Sequence, residues 1–271
     1  MDDFYTQIEK EWRISELKRI VDGFDLSVGD MLNNSDIKEK QDYTCIVVRT
    51  AGKSIVTMRE ILSLVANGFP DGALSLARNL YEQLIILLFF ALKSKTPEMD
   101  AYVSDYFLSA EIEWLIKHKY ELEIRDKTDE ADETQKEIDA LKETTDRKVS
   151  GNYWWSGYYR FNDLSDYVTE NYSPDLGDML HLLKEGYYRA CVSLHANCLG
   201  NFMRLGTDND FAGIYTGPRI KGHELPLWMA TSSFISIVGA TCINLGITNS
   251  FNQPLNELAF YYIRKMHNVD S

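Results

Sequence analysis

The sequence predicts an all-α fold, a helical bundle from which one strongly charged hairpin protrudes. Only six prolines and sixteen glycines punctuate 271 residues, fewer than the turns of an all-β chain of this length need. Apolar residues recur at helical spacing in most segments. Hydrophobic residues make up 45% of the chain, enough to bury a large core without a disulfide or a metal. We therefore expect a single all-α domain over residues 1–271.

The residue pattern of the first 120 positions predicts an N-terminal helical layer over residues 1–36 and the first half of the core over 37–120. Residues 5–22 form an amphipathic pattern that Gly23 is expected to end. A second helical pattern covers about 37–66. Pro70 then begins a helix that is apolar on every side from Leu84 to Leu92, which predicts a central buried helix. Residues 97–123 resume an amphipathic pattern.

Charged residues dominate the segment 121–148, where few apolar side chains are available for packing. This composition predicts a protruding helical hairpin or an exposed linker. Two interpretations of such a segment stay open: a solvated surface insertion, or an arm that docks onto another protein.

The second half of the core is expected over residues 149–250 and a C-terminal helix over 251–271. We predict helices at about 175–185, 187–205, 224–246 and 254–268, with a long loop over 206–222. The stretch 225–256 has no charged residue and exceeds the length of a bilayer span, but its serines, threonines and glycines favour burial in protein. We therefore expect no membrane partner.

An aromatic cluster begins the second half of the core and includes Trp154, Trp155 and Tyr158. It fits a loop folded onto the core, which would anchor the helix that follows. Two alternatives are a surface that stacks bases and the lining of a pocket for a small ligand.

Charge and cysteine content restrict the function. The formal net charge of −13 argues against a broad, nonspecific nucleic-acid binder, so any RNA site has to be local. The four cysteines show neither a CxxC pair nor the density of a disulfide scaffold, and the first residues do not resemble a signal peptide. We expect a cytoplasmic protein.

Common catalytic motifs are missing from the chain, among them GxxxxGK[ST], GxGxxG, HExxH and GxSxG. Asp178 and His181 alone do not make a di-iron site, which needs paired Glu-x-x-His motifs. We therefore expect neither a metal nor another cofactor.

Arg189 is followed by five residues and then His195, a spacing found in HEPN ribonucleases. Together with the helix ARNLYE (77–82) and the loop NYWWSG (152–157), this segment resembles a bacterial family of helical proteins regarded as HEPN-like. The resemblance covers about residues 40–246 and implies a HEPN-like core. The sequence departs from the usual HEPN pattern at Ala190, where a polar residue normally follows the arginine.

The resemblance implies metal-independent RNA cleavage through a cyclic phosphate, with Arg189 and His195 as the catalytic pair. Arg189 would neutralise charge on the phosphate and His195 would carry a proton near neutral pH. Ser193 and Asn197 are candidate polar neighbours. The resemblance also implies a homodimer and a role in phage defence or in a toxin system, with an antitoxin or defence protein as partner.

Helix geometry opposes this pairing, because six positions turn His195 about 120° away from Arg189 on an unbroken helix. His195 would then align with Cys191 and Cys198. A structural role for both residues, a core histidine and a surface arginine, therefore stays open. Catalysis would need Gly186 to break the helix, or a second subunit to complete the site.

Two further groups are candidates for supporting roles. Arg78 and Glu82 lie four positions apart on the apolar central helix, as a structural ion pair or as residues that orient the catalytic pair. A second group, Arg219, Lys221 and His223, is a candidate phosphate-binding rim. The rival function from another class is a noncatalytic interaction protein that engages a partner through its acidic surface and charged hairpin.

Overall fold

The computed structural model describes residues 2–33, 42–144, 161–194, 205–208, 211–214 and 218–267. The described residues form ten helices and one two-stranded antiparallel hairpin, so the predicted all-α class is confirmed. In chain order the elements are α1 (Asp2–Trp12), α2 (Ile14–Asn33), α3 (Tyr43–Ala66), α4 (Pro70–Lys93), α5 (Met99–Ile124), α6 (Thr128–Glu143), α7 (Phe161–Glu170), α8 (Pro174–Leu194), β1 (Leu205–Asp208), β2 (Phe211–Ile214), α9 (Glu224–Leu245) and α10 (Asn252–Met266).

The core is built around α4 and α9, the two most apolar helices. Helix α9 packs against α4, α10, α3 and α8, and α4 also packs against α3 and α7. Both helices bury side chains on several sides, which explains why neither shows a single apolar stripe in the sequence. The predicted central helix beginning at Pro70 has the expected position.

Helices α4 and α9 are long and apolar enough to cross a membrane by length and composition. In the fold, 67% and 72% of their most apolar windows are buried inside the protein. Core helices of soluble proteins pass the same test, so length and composition do not assign these two to a bilayer.

The N-terminal layer differs from the prediction in where its helices end. The helix is interrupted at Arg13, whose φ is 52°, so α1 and α2 are separate helices. Helix α2 then continues through Gly23. Gly23 does not stop the helix; it allows a close contact, since a Cβ there would lie 3.3 Å from the ring of Phe251. Helix α3 begins after Asp42, which accepts a hydrogen bond from the backbone N–H of Cys45 at 2.8 Å.

Hydrogen bonds join the last helix to the first. The hydroxyls of Tyr261 and Tyr262 donate to the carbonyl oxygens of Glu11 and Trp12 at 2.7 and 2.8 Å. The indole N–H of Trp12 donates to the carbonyl oxygen of Ile220 at 2.9 Å. The residues around Trp12 are thereby fixed to α10 and to the segment that precedes α9.

Helices α5 and α6 form the predicted charged hairpin, which we call the arm. They turn at Asp126, whose φ is 57°, and pack against each other around Ile112, Leu115 and Ile138. This small cluster is separate from the main core, to which α5 adds only its first turns through Tyr102, Val103 and Phe107.

The second half of the core contains two departures from the prediction. Helix α7 was not predicted, and α8 is one helix through Gly186 where two were expected. Gly186 is buried against α9, and a Cβ at this position would lie 2.7 Å from Met229 Sδ. The described part of the predicted loop contains the β1–β2 hairpin, which pairs Leu205 with Ile214.

Candidate functional site

A cluster of polar side chains joins α4 to α8. Arg78 and Glu82 form an ion pair on α4, with Arg78 Nη2 2.9 Å from Glu82 Oε1. Tyr187 on α8 accepts a hydrogen bond from Arg78 Nη2 at 3.3 Å and donates one to Glu82 Oε1 at 3.2 Å. The predicted ion pair between Arg78 and Glu82 is therefore present, and Tyr187 forms hydrogen bonds with both of its members. We call these three residues the α4–α8 cluster.

Aromatic rings surround the cluster on its inner side. The ring centroid of Tyr187 lies 4.9 Å from that of Phe161 and 5.4 Å from that of Tyr81, and Arg78 Cζ lies 5.1 Å from the centre of the Tyr187 ring. Burial raises the pKa of Tyr187, although the hydrogen bond from Arg78 acts in the opposite direction. Its hydroxyl therefore stays protonated and can donate to Glu82.

Arg78 remains charged and partly accessible. Burial acts to lower its pKa, but the hydrogen bond to Tyr187 and the charge of Glu82 outweigh burial, so the pKa is raised. The side chains of Arg78 and Glu82 keep 35% and 21% of their surface exposed, so the pair is not sealed in the core. Arg78 Nε is buried and has no hydrogen-bond acceptor among the described residues.

Cys191 lies on the same side of α8 as Tyr187, one turn further along the chain. Four positions correspond to about 40° around a helix, and Cys191 interacts electrostatically with both Arg78 and Tyr187. Its thiol is free and partly exposed. The next position at this spacing is His195, which lies outside the described residues.

Arg189 is placed on a different side of α8, about 160° around the helix from Cys191. It is exposed and lines a groove of about 290 Å³ together with Glu185 on α8 and His267 after α10. Helix α8 is continuous through Gly186, so Arg189 lies far from its first turn. The structure therefore brings Arg78 and Glu82 together and places Arg189 at a separate surface.

The phosphate-binding rim predicted at 219–223 is only partly exposed. Arg219 pairs with Asp71 at 2.6 Å, and its backbone N–H donates to the carbonyl oxygen of Gly68. His223 is fully buried, with Nε2 2.9 Å from the carbonyl oxygen of Arg219, and burial lowers its pKa. Of the three predicted residues, Lys221 is the one whose side chain is exposed.

Several residues that the sequence predicts for the site lie outside the residues that the structure describes. Besides His195, these are Asn197 and the aromatic residues Trp154, Trp155 and Tyr158; Ser193 belongs to α8, but its side chain is not described. Among the described residues, no group of three or more His, Cys, Asp or Glu side chains could hold a metal ion.

Tyr187 and His267 were not predicted as site residues. Tyr187 is 109 positions from Arg78 and 105 from Glu82 along the chain, and no local spacing signals such a contact. The sequence contains one indication of its role: Tyr187 precedes Cys191 by four positions and His195 by eight, a spacing that predicts a common helical face.

Comparisons with known proteins identify the family alone. No curated protein matches the chain, and no solved structure matches it. A model of the family of unknown function DUF5677 matches residues 44–212. This match spans more than half of the chain and includes α3 to α8, the helices that carry the α4–α8 cluster. The chain therefore belongs to this family of unknown function.

Proposed function

We propose that the protein is a metal-independent endoribonuclease in which His195 carries the proton and Arg78 binds the phosphate. The observation that supports this proposal is the α4–α8 cluster, in which the partly exposed guanidinium of Arg78 on α4 contacts Tyr187, eight positions before His195 in the sequence. A HEPN-like arrangement of the core, implied by the sequence resemblance, is part of the same proposal.

The chemistry needs only these side chains. The 2′-OH of a ribose attacks the adjacent phosphorus, a cyclic phosphate forms, and the bond from phosphorus to the 5′ oxygen breaks. His195 accepts the proton of the 2′-OH and returns a proton to the departing 5′ oxygen. Arg78, whose side chain is 35% exposed, neutralises the charge that grows on the phosphate oxygens through its guanidinium. Glu82 and Tyr187 fix the direction of the guanidinium.

Arg189 enters this proposal through a second copy of the chain. Within one chain it lines the groove between α8, α9 and α10, away from the α4–α8 cluster. The sequence resemblance implies a homodimer, in which Arg189 of one protomer would act with His195 of the other. We extend the proposal to a homodimer for this reason.

The biological setting follows from the resemblance. We propose a cytoplasmic role in phage defence or in a toxin system, with an antitoxin or another defence protein as partner. A net charge of −13 limits RNA contact to a local positive site, which agrees with cleavage at a small cluster.

The test is incubation of the purified protein with a mixed RNA pool in the presence of a metal chelator. The wild type should release fragments with cyclic phosphate ends, and His195→Ala and Arg78→Gln should each lower the rate by about a hundredfold or more. Arg19→Gln, which removes an exposed charge on α2, is the matched control. Equal cleavage by the wild type and by both site variants contradicts the proposal.

Mixing variants separates the two arrangements of the site. If Arg189 acts across a dimer, His195→Ala and Arg189→Gln proteins should each be inactive alone and recover activity when mixed and allowed to exchange subunits. If Arg78 of the same chain serves His195, Arg189→Gln should keep its activity without mixing.

A second candidate function is protein binding by the arm, and the surface of α5 favours it. Ile116, Tyr120 and Ile124 repeat at intervals of four and are 43%, 64% and 64% exposed. Trp114, 62% exposed, stacks on His118 at 5.3 Å. Residues 121–144 contain ten acidic and four basic side chains, so the arm offers apolar groups within a negative surface.

A basic amphipathic helix is the partner that fits this surface. We expect a labelled lysine-rich helical peptide with leucines at intervals of four to bind the wild-type protein in fluorescence anisotropy. Replacing Ile116, Tyr120 and Ile124 with serine should weaken binding about tenfold or more. Undiminished binding by the serine variant would show that charge alone attracts the peptide.

A further inference from the structure

A groove runs between α8 and α10 above α9. Its two cavities, of about 290 and 310 Å³, share Leu182, Trp228 and Ile263 as lining residues, so they are adjoining parts of one channel. Trp228, only 6% exposed, belongs to both and lies on α9, the helix beneath. We call this channel the α8–α10 groove. Each cavity by itself approaches the lower size of small-molecule sites in proteins.

The two ends of the groove differ in chemistry. Glu185, Arg189 and His267 line one end. The other end is lined mainly by apolar side chains, among them Met179, Ile235 and Phe260. A ligand that follows the groove therefore meets charged groups at one end and hydrocarbon at the other.

Two large apolar side chains on the rim of the groove are exposed. Phe260 is 65% exposed and Leu182 is 48% exposed, and both lie on the channel rather than scattered over the surface. Contiguous exposed apolar surface in a groove marks a binding site, because covering it with a ligand removes that surface from water.

We infer that the α8–α10 groove binds a single-chain amphiphile with an anionic head, of the fatty-acid class. The planar donor fork of Arg189 matches a carboxylate, and His267 at the same end adds ring nitrogens. The chain would lie along Leu182 and Trp228 toward Phe260. Glu185 opposes the head group through its own negative charge, so the site should bind more tightly when this carboxylate is removed. The inference does not depend on RNA cleavage at the α4–α8 cluster, and it is an alternative to the dimer arrangement in which Arg189 acts with His195 of a second copy.

The first part of the test measures how affinity depends on the length of the ligand's alkyl chain. Isothermal titration calorimetry below the critical micelle concentration should show dodecanoate binding to the full chain. Affinity should rise about fourfold for each added methylene between octanoate and dodecanoate, as each is taken out of water. Dodecanol, which has the same chain without the charge, should bind more weakly.

Three variants test the placement of the ligand. Arg189→Gln should weaken dodecanoate binding about tenfold or more and leave dodecanol unchanged, since only the anion uses the guanidinium. Glu185→Gln should strengthen dodecanoate binding several-fold. Leu182→Trp, at a half-exposed position that tolerates a larger ring, should fill the channel and abolish binding of both ligands. Arg19→Gln on α2 is the control for lost positive charge.

Three results overturn the inference. One is no heat of binding with dodecanoate at either of two temperatures about 15 °C or more apart, because burial of the alkyl chain changes the heat capacity even where the enthalpy is near zero. Another is equal affinity for dodecanoate and dodecanol together with no effect of Arg189→Gln, which indicates nonspecific adsorption. The third is a wild-type dimer in light scattering that Leu182→Trp converts to monomer, which assigns the groove to a second copy of the chain. The readout is binding, so a protein without ribonuclease activity can still confirm the ligand.

Discussion

Gly186 of α8 lies directly against Met229 of α9, and a Cβ at position 186 would be 2.7 Å from the methionine sulfur. This contact brings the two helices close together beneath both the α4–α8 cluster and the α8–α10 groove. A glycine within a helix ordinarily lowers helix stability by about 1 kcal/mol relative to alanine. Its presence here is explained by the space that Met229 occupies.

We predict that Gly186→Ala destabilises the protein by about 1–2 kcal/mol, because the methyl group overpacks the interface by more than the gain in helix propensity. In a Met229→Ala background the same change should be neutral or stabilising, because the sulfur is gone. Urea unfolding of the four proteins measures this coupling. Equal effects of Gly186→Ala in both backgrounds would show that Met229 is not the obstacle.

The hydroxyls of Tyr81 and Ser165 lie 2.6 Å apart and are shielded from solvent between α4 and α7. We predict that Tyr81→Phe and Ser165→Ala each lower the free energy of unfolding by about 1–2 kcal/mol, since each leaves one buried hydroxyl without its partner. The double variant should lose less than the two single losses together. Strict additivity in thermal and urea unfolding would indicate that the two hydroxyls do not interact.

Burial lowers the pKa of His223 in the folded protein below its ordinary value near 6.5. The unfolded chain binds a proton at His223 more readily than the folded protein does. The contribution of neutral His223 to the free energy of unfolding is therefore fully present above the unfolded pKa and is lost as the pH falls toward the folded pKa. The first helix turn of α9, which follows His223, also disfavours a positive charge. We therefore predict falling stability between about pH 7 and pH 5.

The matched variant for this prediction is His223→Gln, which cannot titrate in that range. Its free energy of unfolding should depend less on pH between pH 7 and pH 5 than that of the wild type. Urea unfolding at several pH values gives both slopes. Parallel slopes would assign the pH dependence to other groups.

Ile138 packs in the small cluster of the arm, apart from the main core. We predict that Ile138→Ala destabilises the arm by about 2–4 kcal/mol and leaves the main unfolding transition almost unchanged. Hydrogen exchange over residues 128–143 should accelerate, whereas exchange in α4 and α9 should not. Ile124→Ala, at a position 64% exposed, is the control. A large loss of global stability would show that arm and core unfold together.

The sequence predicts the central helices well because their signal is local. Helix α4 begins at a proline and stays apolar through Leu92, and α9 is free of charge after Glu224. Glycines were less informative. The sequence pattern predicts helix ends at Gly23 and Gly186, but each glycine lies in close contact with a distant side chain, Phe251 or Met229, which no local pattern contains.

The candidate site likewise combines contacts that local spacing predicts with contacts that depend on how distant helices pack. Arg78 and Glu82 could be predicted as a pair because they are four positions apart on an apolar helix. Tyr187 could not, since its contacts depend on how α8 docks on α4. For Arg189 the helical angle already indicated separation from the Cys191 side, and the structure confirms that Arg189 faces a groove formed with α9 and α10.

The bonds from Tyr261 and Tyr262 to the end of α1 span 250 positions of the chain. During synthesis, the residues around Trp12 leave the ribosome long before their partners exist. The hydrogen bonds that join the end of α1 to α10 therefore form only after α10 has been made. A ribosome that stalls before α10 would release a chain in which the carbonyl groups of Glu11 and Trp12 lack both tyrosine donors.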